Sequence, residues 1–233
     1  KWDGLTWSAL GGGVNSAVDA LLGADLGDGP ALYAAGFFWS YSSKIAKWDG
    51  LQWRSLGLGM TGIFGNERVS ALAAFDGGVG PSLYAGGLFS MAGGVSANNI
   101  ARWDCLQWSN IGGTSFTVNT LAVFDDGTGS RLYVGGRFSS AGSIMAPLLA
   151  QWDGAGWSAL DDPLLAFGSS AYVGVLTVLD AGFPGGAAMY ASGSWTHACP
   201  NNEVRNLGRR LRQGEGIDLV IQEEPEGDVV CEG

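Results

Sequence analysis

Few residues in this chain of 233 have side chains suited to catalysis or metal binding, and their spacing does not gather them. The one histidine is His197, and the cysteines are Cys105, Cys199 and Cys231. A zinc site needs three or four convergent ligands, which one imidazole with scattered thiols does not supply. A Ser-His-Asp triad is formally available because Ser and Asp are abundant, but no nucleophile elbow marks a serine. The residues therefore predict neither a catalytic group nor a cofactor. Three cysteines do not make a disulfide framework; a Cys199–Cys231 bond that leaves Cys105 free stands open beside three free thiols. Aspartates remain. Asp25-Leu-Gly-Asp28-Gly29, Asp76-Gly77-Gly78 and Asp125-Asp126-Gly127-Thr128-Gly129 offer carboxylates in short loops. Calcium takes six to eight oxygens, and no copy closes alternating acids with a glutamate. Hairpin-turn chemistry accounts for these residues without a metal.

Composition narrows the scaffold that positions such side chains. Forty glycines stand beside ten tryptophans and a hydrophobic fraction of 46%, which reads as many tight turns between short, buried strands. A net charge of −10 excludes nucleic acid, whose phosphates require clustered Lys and Arg. Polar residues and glycine interrupt every apolar run well before the ~20 residues of a membrane span, so no membrane insertion is expected. The chain starts at Lys1, inside a repeat and without a leader. A signal removed on export and a truncated gene both predict that start, so cytosolic residence does not follow from it.

Laying the chain on itself shows the organisation. Trp-Asp recurs at Trp2, Trp48, Trp103 and Trp152, and a second tryptophan follows five residues later at Trp7, Trp53, Trp108 and Trp157. A second block runs Leu32-Tyr-Ala-Ala-Gly36, Leu83-Tyr-Ala-Gly-Gly87 and Leu132-Tyr-Val-Gly-Gly136, with Met189-Tyr-Ala-Ser-Gly193 as a degraded copy. Upstream of each lies Val-x-x-Leu-x-x-x-Asp, beginning at Val18, Val69, Val118 and Val173. Constant spacing within blocks and variable spacing between them is the pattern of strands joined by tolerant loops. Val118–Phe124 reads as a first strand, Leu132–Phe138 as a second, Ile100–Trp103 as a third and Gln107–Ile111 as a fourth. The third and fourth are joined by an Asp-Gly turn in which Cys105 stands where Gly4, Gly50 and Gly154 stand elsewhere. The paired glycines predict a close backbone approach.

Four antiparallel strands per ~45–50 residues predict the blade of an all-β propeller. The chain would hold three complete units and one split between its termini, with Lys1–Leu10 pairing against the last half-unit to close a ring. A piece of a larger propeller fits the same repeats. The propeller would span residues 1–198 and leave 199–233 as a charged, irregular tail. Those positions hold 12 of the 34 charged residues, including Arg205, Arg209, Arg210 and Arg212 followed by Glu223, Glu224, Glu226, Asp228 and Glu232. A solvated extension is the expectation for such a terminus.

The order Leu132-Tyr-Val-Gly-Gly136, Trp152-Asp153, Trp157-Ser-Ala-Leu160 resembles the Kelch-type β-propeller repeat. Asn99-Ile-Ala-Arg-Trp-Asp104, with Cys105 as the departure, is similar to the Trp-Asp-Gly repeats of large bacterial proteins predicted to be secreted. The resemblance covers about residues 1–195 and implies the fold and an extracellular or cell-surface location. The copper-oxidase chemistry known in Kelch-type propellers would need imidazole and tyrosine ligands that this chain largely lacks. The resemblance also implies that loops after Gly-Gly and between blades share one face. The matching positions are Trp39, Tyr41, Phe64, Asn66, Glu67, Arg68, Phe116 and Arg137, of which Arg137 replaces Phe37, Leu88 and Ser194. Aromatics beside arginine are typical anchors, so the expectation is a non-catalytic scaffold that binds a protein or a carbohydrate. A glycan-acting hydrolase or lyase and a purely structural segment of a larger surface protein are the alternatives. The recurrent tryptophans belong instead to packing, because a core position must recur in every unit.

Overall fold

The computed structural model describes residues 1–41, 43–62, 65–160, 171–179 and 187–194, and the backbone of strands within 196–220. Phe64 and Cys231 lie outside the described residues, as do the side chains of His197, Cys199 and the tail arginines. Every regular element among the described residues is a β-strand. The chain divides into two compact units, Lys1–Gly113 and Thr114–Gly233.

The first unit holds β1 (Ala17–Asp25), β2 (Pro30–Phe37), β3 (Ile45–Trp48), β4 (Trp53–Ser55), β5 (Met60–Thr61), β6 (Arg68–Asp76), β7 (Pro81–Leu88), β8 (Met91–Ala92), β9 (Val95–Ser96), β10 (Ile100–Trp103) and β11 (Trp108–Asn110). They form antiparallel sheets ordered β1-β2-β3-β4 and β6-β7-β10-β11, with a small β5-β8-β9 sheet beside them. β6 lies against β1 and β2. Tyr33, Ala35 and the partly buried Ala20, Leu22 and Ala24 of the first sheet join Val69, Leu72 and Ala74 of β6 in one core.

The second unit repeats the plan with β12 (Val118–Asp125), β13 (Ser130–Gly136), β14 (Ser140–Ala141), β15 (Ile144–Met145), β16 (Leu149–Trp152), β17 (Trp157–Ala159), β18 (Tyr172–Leu179), β19 (Ala188–Ser194), β20 (Thr196–Cys199), β21 (Asn202–Arg205), β22 (Gly208–Arg212) and β23 (Glu215–Val220). Its four-stranded sheets are β12-β13-β16-β17 and β18-β19-β22-β23, with β14-β15 and β20-β21 as small pairs. β18 lies against β12 and β13, joining Phe124 and Tyr133 to Val173 and Leu176.

The repeated motifs build the repeated geometry. In each of the first three sheets the Trp of Trp-Asp pairs with the Leu of the Leu-Tyr block on one side and with the following Trp on the other. The registers are Trp48 with Leu32 and Trp53, Trp103 with Leu83 and Trp108, and Trp152 with Leu132 and Trp157. The ring centroids of these cross-strand pairs lie 5.3–5.5 Å apart, close enough for aromatic attraction beyond simple burial. The second tryptophan also ties sheet to preceding repeat. Trp53 Nε1 donates to the Leu10 carbonyl at 2.9 Å, and Trp108 Nε1 donates to the Leu56 carbonyl at 2.9 Å.

All four first strands carry a bulge at the same place, between Val18/Ala20, Val69/Ala71, Val118/Thr120 and Val173/Val175. The expected close approach falls here. A Cβ on Gly36, Gly87 or Gly136 would stand 2.1–2.2 Å from the carbonyl oxygen of Ala17, Arg68 or Thr117. No side chain fits, and the glycine lets the bulged strand press in.

One topological expectation is corrected. Lys1–Leu10 was expected to complete the last sheet, but the edge of β19 is held by β22, with Met189 opposite Leu211, and β23 continues the sheet. The stretch expected to be an irregular tail thus supplies strands, satisfying an edge that would otherwise expose its N–H and C=O groups. Lys1–Leu10 holds no named strand; its ladder contact is a bridge between Trp2 and Trp7.

Candidate functional site

The aspartates that recur are occupied by turns. Oδ1 of Asp25 accepts the N–H groups of Gly27 and Gly29, Oδ1 of Asp76 those of Gly78 and Gly80, and Oδ1 of Asp125 those of Gly127 and Gly129. Each Trp-Asp turn does the same. Asp3 accepts from Leu5 and Thr6, Asp49 from Leu51 and Gln52, Asp104 from Leu106 and Gln107, and Asp153 from Ala155 and Gly156. Among the described residues no three His, Cys, Asp or Glu side chains gather as a metal-holding group. In the third turn Cys105 adopts φ +74°, a left-handed backbone that the glycines of the other copies take without steric cost.

The residues that break the repeat cluster in the first unit, on the loop after β2. Gly36 leads into Phe37, Phe38 and Trp39, and the loop returns through Tyr41 and Lys44 to β3. Lys44 has φ +74°, the conformation that Asn99 (+72°) and Leu148 (+65°) take at the equivalent place. There the backbone is tied to the loop on both sides, Lys44 N–H donating to the Phe38 carbonyl and Gly36 N–H donating to the Lys44 carbonyl. The position is therefore structural in the three copies described, and only its side chain varies.

That side chain is unusual. Lys44 is 3% exposed, and its ammonium lies 4.4 Å from the Trp39 ring centroid and 4.7 Å from that of Phe37. A cation at this range is attracted to the ring face. Burial pulls the Lys44 pKa below its ordinary value, and the negative charge of Glu67 opposes the shift. Glu67 is itself buried; its Oε1 accepts the Gly65 N–H at 2.9 Å, and its side chain fills the space a Cβ on Gly62 would need.

The aromatic residues above this charge are exposed but held. Asn15 Oδ1 accepts the backbone N–H of Trp39 at 2.9 Å and of Ser40 at 3.1 Å, and Tyr41 Oη donates to the Gly13 carbonyl at 3.3 Å. Phe37 meets Trp39 edge to face at 4.9 Å, and Tyr41 leans on Trp53 at 6.2 Å. Arg68 is anchored by Asp19, with Nη2 2.7 Å from Oδ1 and Nε 3.3 Å from Oδ2. A forked pair of this kind fixes the guanidinium plane.

Of the eight expected binding positions, the first unit thus carries Trp39, Tyr41, Asn66, Glu67 and Arg68. Asn66 is exposed, Glu67 is turned inward, and Arg68 is spent on Asp19. Phe116 and Arg137 belong to the second unit. Both are exposed, and Ser115 Oγ holds the adjoining loop by accepting the N–H groups of Ser139 and Ser140, as Asn15 does in the first unit. Lys44, Phe37 and Asn15 were not expected. The signal for Lys44 is the alignment itself, since a lysine stands where the other copies have Asn99 and Leu148.

Compared with known proteins, the chain matches no family model, no curated protein and no solved structure. What the loop cluster can do follows from its own chemistry. Two exposed rings, Trp39 and Tyr41, sit on a pinned backbone, with the Lys44 ammonium against Trp39 and both Lys44 and Glu67 buried.

Proposed function

We propose that the four-stranded sheets are propeller blades of Kelch-like type, and that the chain is a non-catalytic scaffold at the cell surface or outside the cell. It takes a protein or a carbohydrate through the loops around Lys44. The observation that carries the reading is the state of Trp39 and Tyr41, which are exposed to solvent and yet fixed by Asn15, Gly13 and Lys44. Large rings already held in place lose little freedom on binding, so most of their contact appears as affinity. Exposed tryptophan serves pyranose faces and peptide side chains alike, which leaves both ligand classes to experiment.

A glycan array and a displayed peptide library, each probed with the native protein and with a Trp39→Ala/Tyr41→Ala variant, test the proposal. The expected outcome is a ligand whose binding weakens roughly tenfold or more in the variant, the cost of losing a hot-spot ring, while the circular dichroism spectrum is unchanged. Ligands held equally well by both proteins, or none in either library, would overturn it.

A further inference from the structure

We propose that Glu67 and Lys44 are the positioning residues of the exposed aromatic surface, the buried carboxylate holding the ammonium and the ammonium holding the Trp39 ring as a ligand would meet it. The inference rests on the reading of that surface as the binding surface and adds the groups that set it. Four departures from the repeat meet there. Phe37, Trp39 and Lys44 stand where the second copy has Leu88, Ser90 and Asn99 and the third has Arg137, Ser139 and Leu148. Glu67, from the loop before β6, stands where Ser16 and Phe116 stand before β1 and β12. In the second copy the residue at the Lys44 place serves the loop backbone, Asn99 Oδ1 accepting the Phe89 N–H at 3.3 Å. In the third it serves the core, where Leu148 joins Phe124 and Tyr133. The Lys44 ammonium instead lies over the Phe37 and Trp39 rings.

The first loop needs such a device because it is short. In the second and third copies the same stretch folds into a small hairpin, with Met91 opposite Ser96 and Ser140 opposite Met145. The turn glycines of those hairpins, Gly93 and Gly142, lie against Trp108 and Trp157. The first loop runs from Phe38 to Lys44, against Phe89 to Asn99 and Phe138 to Leu148, and its described residues hold no paired strands. Tyr41 leans on Trp53 in place of the hairpin, and Trp39 is left at the surface.

A buried ammonium costs stability, and Leu148 shows that this left-handed backbone accepts an uncharged side chain. What the charge adds is attraction to the ring faces, which strengthens as water is excluded. Glu67 preserves that charge, since burial pulls Lys44 toward the neutral amine and the carboxylate opposes the shift. Among the described residues Glu67 is the charged group whose field moves Lys44; its neighbour Arg68 is engaged by Asp19. Gly62 in turn makes room for Glu67, because a Cβ there would stand 2.5 Å from Glu67 Cγ and 2.6 Å from Oε1. The chain of contacts runs from Gly62 through Glu67 and Lys44 to Trp39.

Carbon-13 NMR of the tryptophan rings in the full chain tests this without any ligand, the Trp39 signal being assigned by Trp39→Phe. In the native chain that signal is expected to shift as pH rises through the Lys44 titration, below the ordinary lysine value of 10.5. In Glu67→Gln and in Gly62→Ala the step moves to lower pH, because the carboxylate that favours the ammonium is neutralised in one and displaced in the other. In Lys44→Leu the step is absent, and ring relaxation at neutral pH reports a freer Trp39. A residue that only filled space would leave the midpoint where it was. A native signal that stays flat with pH, a step that persists in Lys44→Leu, or a midpoint that Glu67→Gln leaves unmoved would each overturn the proposal. The native titration decides even where a variant fails to fold. Since no ligand enters, a failure here is distinct from a failure of the binding reading, which the glycan and peptide libraries test.

Discussion

Two of the tyrosines at the heart of the Leu-Tyr blocks, Tyr33 and Tyr133, are alike in sequence and unlike in chemistry. Tyr133 Oη donates to Asp126 Oδ2 at 3.1 Å, whereas the Tyr33 hydroxyl is buried with no hydrogen-bond partner. The difference lies one turn away, where Leu26 stands in the first copy and Asp126 in the third. Burial raises both phenols well above the ordinary tyrosine value, so both are neutral. Removing the hydroxyl of Tyr133 deletes a bond to a carboxylate and leaves Asp126 one donor short, a loss of about 1–2 kcal/mol. Removing that of Tyr33 deletes only an unmet polar group and should be neutral or stabilising by up to ~1 kcal/mol. Urea unfolding of Tyr133→Phe and Tyr33→Phe reads the contrast directly, and equal losses in the two would refute the assignment. Lys44 teaches the same lesson about single residues. Its place in a left-handed turn is visible only once three copies are compared in space, and nothing in its immediate sequence announces that the ammonium is buried beneath Trp39.

At the scale of strands, the glycine facing the bulge decides whether a sheet can form. A methyl group on Gly87 would lie 2.1 Å from the Arg68 carbonyl oxygen, an atom of the backbone that cannot swing aside. Gly87→Ala should therefore cost about 3 kcal/mol through forced displacement of β6 from β7. Gly23→Ala is the control, since Gly23 sits in β1 with nothing within 4 Å of its added carbon. It should change stability by no more than about 0.5 kcal/mol. Similar losses for the two would show that a general dislike of alanine in these strands, not the bulge, sets the cost. This geometry was legible because it recurs: Val-x-x-Leu, paired glycines and Trp-Asp repeat at fixed spacing, so chance similarity is excluded and the strands follow. The two-residue strands β5, β8, β9, β14 and β15 were not legible, because so short an element has no period to detect. The strands beyond residue 199 were hidden for another reason. Their charged composition reads as a solvated terminus, and the demand that draws them into a sheet is the open edge of β19, not their own pattern.

The whole molecule shows where reading from repeats stops. Each sheet is specified locally, by residues within one unit, but closing the first repeat onto the last would join segments nearly a chain length apart and carries a loop entropy that no motif records. The same repetition nevertheless gives the molecule one collective property. In all four Trp-Asp turns the carboxyl is held below its ordinary pKa, chiefly by the backbone N–H of Thr6 on Asp3, of Gln52 on Asp49, of Gln107 on Asp104 and of Gly156 on Asp153. A carboxyl whose pKa is lower in the folded than in the unfolded chain contributes stability that is complete above the unfolded value, near 4, and is lost as pH falls through the folded value. Four such groups act in the same direction and span both units. The urea midpoint should thus be nearly flat from about pH 7 to 5 and decline below about pH 4 as the turn carboxylates take up protons. Asp49→Asn with Asp104→Asn retains a side-chain oxygen for the turn while removing two of the titrating charges. In that variant the midpoint at neutral pH should drop and the decline below about pH 4 should become shallower. An acid decline as steep in the variant as in the native chain would place the sensitivity in other carboxylates and leave the turns without this role.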